Sequence, residues 1–99
     1  FSKLTLKVGE VLSCEKHPDA NKLLVSQIDC GNKVHQIVSG VADFISADEM
    51  VGKKVVVITN LKPINLRGVL SEGMILVGEH KKQNEIVEIK DLPKGSIVR

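Results

Sequence analysis

Residues 60–74 carry the side chains of this sequence that are best suited to binding an anion. A polar loop with two basic residues follows a Val-rich segment, and a Ser71-Glu72-Gly73-Met74 turn then returns the chain to apolar sequence. The interval between positions 49 and 72 has no acidic residue, yet it holds Lys53, Lys54, Lys62 and Arg67. Because the formal net charge of the chain is only +2, this local surplus of positive charge predicts an anion-binding surface.

The chain has only two aromatic residues, Phe1 and Phe44. Proteins that bind single-stranded nucleic acid usually stack successive bases on aromatic side chains, and this chain cannot build such a platform. We therefore expect any nucleic-acid binding to use phosphate contacts, 2′-hydroxyl contacts and shape.

No catalytic signature is found in the sequence. It has no phosphate-cradling Gly motif of the Walker or dinucleotide type and no Gly-x-Ser-x-Gly elbow. Ser39 has no local base to activate it. Cys14, His17, Cys30 and His35 superficially resemble a zinc pattern, but strand alternation does not bring the four side chains together. We therefore expect no catalytic residue, no metal and no cofactor.

The cysteines indicate a reducing compartment. If Cys14 and Cys30 lie on the two arms of a hairpin that turns near position 19, they are out of register and cannot be bridged. Two free thiols favour a cytoplasmic protein. No apolar run approaches the length of about 20 residues needed to span a membrane.

Hydrophobic periodicity predicts a chain of short strands. Residues 4–12 alternate as a strand, with Gly9 marking a bulge or a sharp coil, and residues 22–30 and 33–39 complete a three-strand meander. Ser46 and Glu49 form a capping box that opens a short helix ending near Gly52. Further strands are predicted at 54–59, 74–77 and 85–89, with a polar hairpin at 80–84 and a short apolar end at Ile97-Val98.

This order predicts a mainly all-β fold: an OB-fold, a five-stranded Greek-key barrel with a short helix between strands 3 and 4. An SH3-like barrel fits the strands but leaves the helix unexplained. In an OB-fold the loops at 17–21 and 61–73 are the ones that commonly bind oligonucleotides. Residues 1–99 are of a length typical of one domain, and a chain that begins at Phe1 rather than Met is expected to be part of a longer protein.

Several motifs in order resemble one known family over nearly the whole chain. They are Leu6-Lys7-Val8-Gly9, His17-Pro18-Asp19-Ala20-Asn21-Lys22-Leu23, Gln36-Ile37-Val38-Ser39-Gly40, Met50-Val51-Gly52-Lys53-Lys54-Val55, Asn60-Leu61-Lys62-Pro63, Leu66-Arg67-Gly68 and Ser71-Glu72-Gly73-Met74. The family is the tRNA-binding domain that occurs alone in small bacterial dimers, at the C-terminus of methionyl-tRNA synthetases, and in endothelial monocyte-activating polypeptide II.

The resemblance implies a non-catalytic domain that grips the outer corner of folded tRNA, whatever the tRNA, and assists an aminoacyl-tRNA synthetase, with the methionyl enzyme favoured. The implied tRNA-binding residues are Lys33, Asn60, Lys62, Arg67, Ser71 and Met74. Basic residues are common in the family where this chain has His35, Ile64 and Asn65. If two phosphate contacts are lost at these positions, the slope of log K against log salt concentration should fall in magnitude by about 0.9 for each contact.

The sequence also allows two other functions. Cytokine-like members of the family owe their signalling to a segment that aligns with Lys7, Val8, Gly9, Glu10, Val11, Leu12 and Ser13. A dimeric peptide-binding chaperone has a similar fold. A homodimer, or a pseudo-dimer with a missing C-terminal extension, is a further expectation.

Overall fold

The computed structural model describes residues 3–99, so Phe1 lies outside the described part. The elements in chain order are β1 (Leu6–Lys16), β2 (Leu24–Asp29), β3 (Val34–Ser39), α1 (Ala47–Met50), β4 (Lys54–Ile58), β5 (Ile64–Leu66), β6 (Val69–Ser71), β7 (Met74–Ile75), β8 (Val77–His80), β9 (Gln83–Ile86) and β10 (Ile97–Val98). The predicted meander, helix and fourth strand are all present, and each agrees with its predicted position to within a few residues.

The main sheet is built around the long strand β1. Its order is β3-β2-β1-β4-β7, and every pairing is antiparallel. The C-terminal strand β10 also pairs with the start of β1, through Leu6 with Val98 and Lys7 with Ile97. The sheet curls into a nearly closed barrel, and α1 lies between its third and fourth strands. This architecture confirms the predicted OB-type fold.

Of the two alternatives predicted for Gly9, the bulge is wrong. Gly9 pairs regularly with Val55, and the register shift in β1 falls between Val11 and Ser13. Gly9 is instead a site of close approach inside the barrel. A Cβ there would lie 2.5 Å from Ile28 Cγ2 and 3.0 Å from Val57 Cγ2. Both neighbours are completely buried, so the sheet can curl this tightly only because the residue has no side chain.

The barrel interior is filled by aliphatic side chains from every long strand. Its buried members are Val11, Leu24, Ile28, Cys30, Ile37, Val41, Met50, Val55, Val57, Ile75 and Ile86. Met50 comes from α1, whose N-terminus is fixed by a reciprocal capping box between Ser46 and Glu49. The cap sets the direction of the helix, and the single turn then places Met50 in the core.

Residues 61–73, predicted to be a polar loop, contain an additional hairpin. Strands β5 and β6 pair through Ile64 with Ser71, Asn65 with Leu70, and Leu66 with Val69. Three-residue strands are too short to show a periodicity, which is why the sequence pattern missed them.

The predicted strands at 74–77 and 85–89 are redistributed. The first divides into β7 and β8, and the second begins earlier, at Gln83, and ends at Ile86. Lys81 and Lys82 form the intervening turn with positive φ angles of 47° and 69°. Beyond Ile86, main-chain bonds from Val87 to Leu76 and from Ile89 to Lys54 continue to hold the chain against the barrel.

Replacing Gly9 with Ala should destabilise the domain by about 1–3 kcal/mol, because the added methyl overpacks a closed core. Gly78→Ala is the matched control, since its Cβ would meet only Glu85 O at 3.8 Å. Urea unfolding of both variants measures the difference. Equal stability of the two would show that the contacts around Gly9 do not limit the packing.

Candidate nucleic-acid interface

The two loops expected to bind nucleic acid lie against each other. His17 is buried, and its Nδ1 accepts a hydrogen bond from the main-chain N–H of Asp19 at 2.9 Å. The proton must therefore be on Nε2, which donates to Leu66 O at 2.9 Å. Arg67 Nη2 also donates to Asp19 O at 3.2 Å. These bonds hold the β5–β6 hairpin against the first loop.

The tip of the β5–β6 hairpin presents Arg67 to solvent. Arg67 and Gly68 both have positive φ, 55° and 92°, as two-residue hairpin turns of type I′ require. Asn65 Oδ1 accepts from Gly68 N at 2.8 Å and holds the turn. Arg67 is an unusual occupant of this backbone conformation. Its side chain remains exposed although Nη2 donates to Asp19 O.

Lys62 lies at the base of the same hairpin. It is exposed, and within residues 3–99 it forms no ion pair. Its neighbour Ile64 is 55% exposed. Lys62 and Arg67 therefore place two charges on one projecting element, with an apolar side chain between them.

Lys33 is in a different situation, because its charge is already paired. Its Nζ lies 3.4 Å from Glu72 Oε2. The other Glu72 oxygen accepts from the main-chain N–H of Gln36 at 3.0 Å, and this bond, assisted by the nearby Lys33, lowers the pKa of the carboxyl. A phosphate would have to compete with Glu72 for Lys33.

Ser71 faces the protein interior. Its side chain is buried, and Oγ accepts from Val38 N at 3.0 Å and donates to Gly73 O at 3.1 Å. Gly73 cannot carry a side chain, because a Cβ would lie 2.6 Å from Ile58 O. The hydroxyl therefore fixes the turn that leads to Met74, which is 52% exposed.

Asn60 ties the end of β4 to the N-terminal segment. Its Oδ1 accepts from Thr5 N at 2.8 Å and its Nδ2 donates to Lys3 O at 2.6 Å. Both functional ends of its amide are thus engaged within the domain. Of the six residues selected from the sequence, Lys62 and Arg67 lie together on the hairpin, and Ser71 and Asn60 act as supports.

His35, where the family resemblance led us to expect a basic residue, is buried. Burial lowers the pKa of this imidazole, and the nearby Lys33 lowers it further. Its Nδ1 has no hydrogen-bond partner within residues 3–99. The side chain therefore adds no positive charge to the surface at neutral pH.

The chain matches the family model described as "Putative tRNA binding domain" over residues 6–96. The chain belongs to this family. The methionine–tRNA ligase of Listeria monocytogenes is 46% identical over 101 residues, which cover 100% of this chain and 15% of the ligase. The chain thus spans about a seventh of the length of that relative, and corresponds to a non-catalytic part of it.

Solved structures agree with the family assignment. A MetRS-related protein from Pyrococcus horikoshii has a TM-score of 0.95 at 36% identity, covering 100% of this chain and 93% of that one. The chaperone CsaA of Bacillus anthracis has a TM-score of 0.84 at 23% identity, covering 100% and 93% respectively, and this likeness concerns the fold alone. The expectation of a non-catalytic tRNA-binding domain is confirmed.

The segment proposed for signalling is the first part of β1 in this tRNA-binding domain. Residues 6–10 pair with β4, and Val8 and Val11 are buried in the barrel wall.

Cys14 and Cys30 are free thiols, and Cys14 lies opposite Ser26, close to its expected position opposite Val25. No group of His, Cys, Asp or Glu in the described range could hold a metal ion, and none of its helices could span a membrane.

The charged form of Glu72 should stabilise the domain, because Gln36 N–H donates to it in the folded state. The folded-state pKa lies below the ordinary value of 4.5, so this stabilisation is complete above that value. It is lost as the pH falls through the lower, folded-state pKa. Glu72→Gln should cost about 1 kcal/mol at pH 7, and the difference from wild type should disappear in acid.

Urea unfolding between pH 3 and pH 7 measures this difference. Glu85→Gln, on exposed strand β9, removes the same charge and serves as the control for net charge. A constant difference between wild type and Glu72→Gln across the range would contradict a role for the ionised carboxylate.

Proposed function

We propose that this domain binds the outer corner of folded tRNA through phosphates and sugars, and so assists a synthetase of the methionine–tRNA ligase type in the cytoplasm. The observation that best supports this proposal is the β5–β6 hairpin, which holds Lys62 and Arg67 at its base and tip and is braced by His17 and Asp19. In a family of tRNA-binding domains, a fixed and projecting pair of cations is suited to the negatively charged RNA backbone.

The proposed contacts divide into two kinds. Lys62 and Arg67 bind phosphates directly, and Lys33 does so by exchanging Glu72 for a phosphate oxygen. Met74, exposed beside the hairpin, packs against a sugar or base. Ser71, which is buried, and Asn60, which is exposed, act indirectly by fixing the Met74 turn and the end of β4.

These contacts distinguish little between tRNAs of different nucleotide sequence. Phosphate contacts position a nucleic acid but do not report its bases, and the sheet offers no row of aromatic side chains. We therefore propose that the domain binds different tRNAs with similar affinity, and that any specificity for methionine tRNA belongs to other parts of the synthetase.

No structural observation favours the other two functions. A signalling role for residues 7–13 would require a partner to recognise strand β1, whose main chain is already paired within the barrel. The likeness to CsaA supports a shared fold and does not extend to peptide binding. Self-association is also a proposal, which the mass of the domain in solution will test.

Combining Lys62→Ala with Arg67→Asn should weaken binding to every tRNA by a similar factor. Each phosphate that the variant no longer binds should reduce the magnitude of the salt slope of log K by about 0.9. Asn suits the positive φ at position 67, so the turn remains intact. Titration with purified tRNAs of several identities at several salt concentrations measures both effects.

The control replaces Lys81 with Asn and Lys82 with Gly. This change also removes two positive charges, from the β8–β9 turn, and it preserves the positive φ angles there. An equal loss of affinity in the control would indicate a response to net charge alone. A loss confined to one tRNA would contradict the assignment of phosphate contacts.

A further inference from the structure

A groove beside the β5–β6 hairpin runs between the ends of β3, β7 and β8. Its lining is mainly apolar and includes Leu23, Ser39, Phe44, Leu66, Met74 and Val77. Leu66 is next in sequence to Arg67, and Met74 follows the Ser71 turn. The groove is therefore continuous with the surface proposed to bind tRNA.

One polar atom in this groove has no partner. Ser39 Oγ is buried, and within residues 3–99 nothing accepts from it or donates to it. A buried hydroxyl without a hydrogen bond is unfavourable, and such atoms are rare in folded proteins. Ser39 lines the groove, so rotation of its side chain about χ1 would bring the hydroxyl within reach of a bound molecule that supplies the missing hydrogen bond.

Side chains of both charges border the groove. Exposed Lys22 and Arg67 are the sequence neighbours of the lining residues Leu23 and Leu66. Glu79 and Asn84 also belong to the lining. A molecule with a negative group at one end and a flat, hydrogen-bonding body at the other fits this arrangement.

We propose that the groove binds one unstacked nucleobase of the tRNA, with its phosphate directed toward Lys22 and Arg67. The faces of the base pack against Leu66, Met74 and Phe44. Its polar edge bonds to the Asn84 amide and to Ser39 Oγ, after the serine side chain has rotated into the groove. The proposal rests on the tRNA-binding function above. Phe44 is the only aromatic side chain in the described range, so we expect one inserted base and not a stacked run.

Filling the groove tests the proposal. Gly40 lies on the groove wall, and a Cβ there would meet only Leu23 Cδ2 at 3.9 Å. Gly40→Val should therefore fold and obstruct the base, and weaken tRNA binding about tenfold, within the range for one stacked base. Gly78→Val is the control. It adds the same side chain to an exposed strand and should leave the affinity unchanged.

A second measurement does not depend on any variant. Methyl NMR of the wild-type domain is followed during titration with AMP, with CMP, and with ribose 5-phosphate, which lacks a base. We expect either nucleotide to shift the Leu23, Leu66 and Met74 methyl signals and ribose 5-phosphate to leave them in place. The absence of a nucleotide effect, or an equal effect of ribose 5-phosphate, would overturn the proposal.

The outcomes separate this inference from the proposed function. If Lys62→Ala with Arg67→Asn weakens tRNA binding and Gly40→Val does not, the groove proposal fails and tRNA binding stands. If neither change has an effect, both fail. If Gly40→Val instead abolishes binding of an unfolded apolar peptide while tRNA affinity is kept, the groove is a peptide site and the nucleobase proposal is wrong.

Discussion

The barrel depends on the hydrogen bonds that join β3 to Ser71 and Glu72. Glu72 N–H donates to Gln36 O at 2.7 Å, and the Glu72 carboxylate accepts from Gln36 N. Two residues further along β3, Val38 N donates to Ser71 Oγ. These two residues thus take the place of a neighbouring strand. The main-chain N–H of Glu72 and the side-chain oxygens of Glu72 and Ser71 form the hydrogen bonds to the main chain of β3. Without them β3 would be an open edge with unpaired main-chain groups.

This closure also determines where the candidate binding residues lie. Ser71 and Gly73 fix the turn, so Met74 emerges at the rim of the barrel and the β5–β6 hairpin is carried immediately before it. His17 then braces the hairpin from the other side. Because both attachments are made by buried groups, the cations project from a fixed support. Pre-positioned charges of this kind lose less conformational freedom on binding than charges on a mobile loop.

The features that could be predicted are those encoded within a few neighbouring residues. The capping box at Ser46, the meander and the Val-rich β4 all follow from local spacing. The role of Gly9 was not predictable, because its constraint comes from Ile28 and Val57, which are distant in sequence. The inward orientation of Ser71 depends on Val38, which is also distant. The groove is assembled from six separate segments, around residues 23, 38–41, 44, 66, 74–79 and 84, and no local pattern represents it.

The near-neutral charge of the domain is consistent with an auxiliary role. Glu72 pairs with Lys33, and His35 is neutral and buried, so the proposed face offers few unopposed cations. Long-range attraction to RNA should therefore be modest, and shape and short-range contacts must contribute more of the affinity. Modest affinity suffices when a domain is joined to a second tRNA-binding part, because the linkage raises its effective concentration at the RNA. In the proposed role, weak and unselective binding would increase retention of tRNA without opposing selection by that second part.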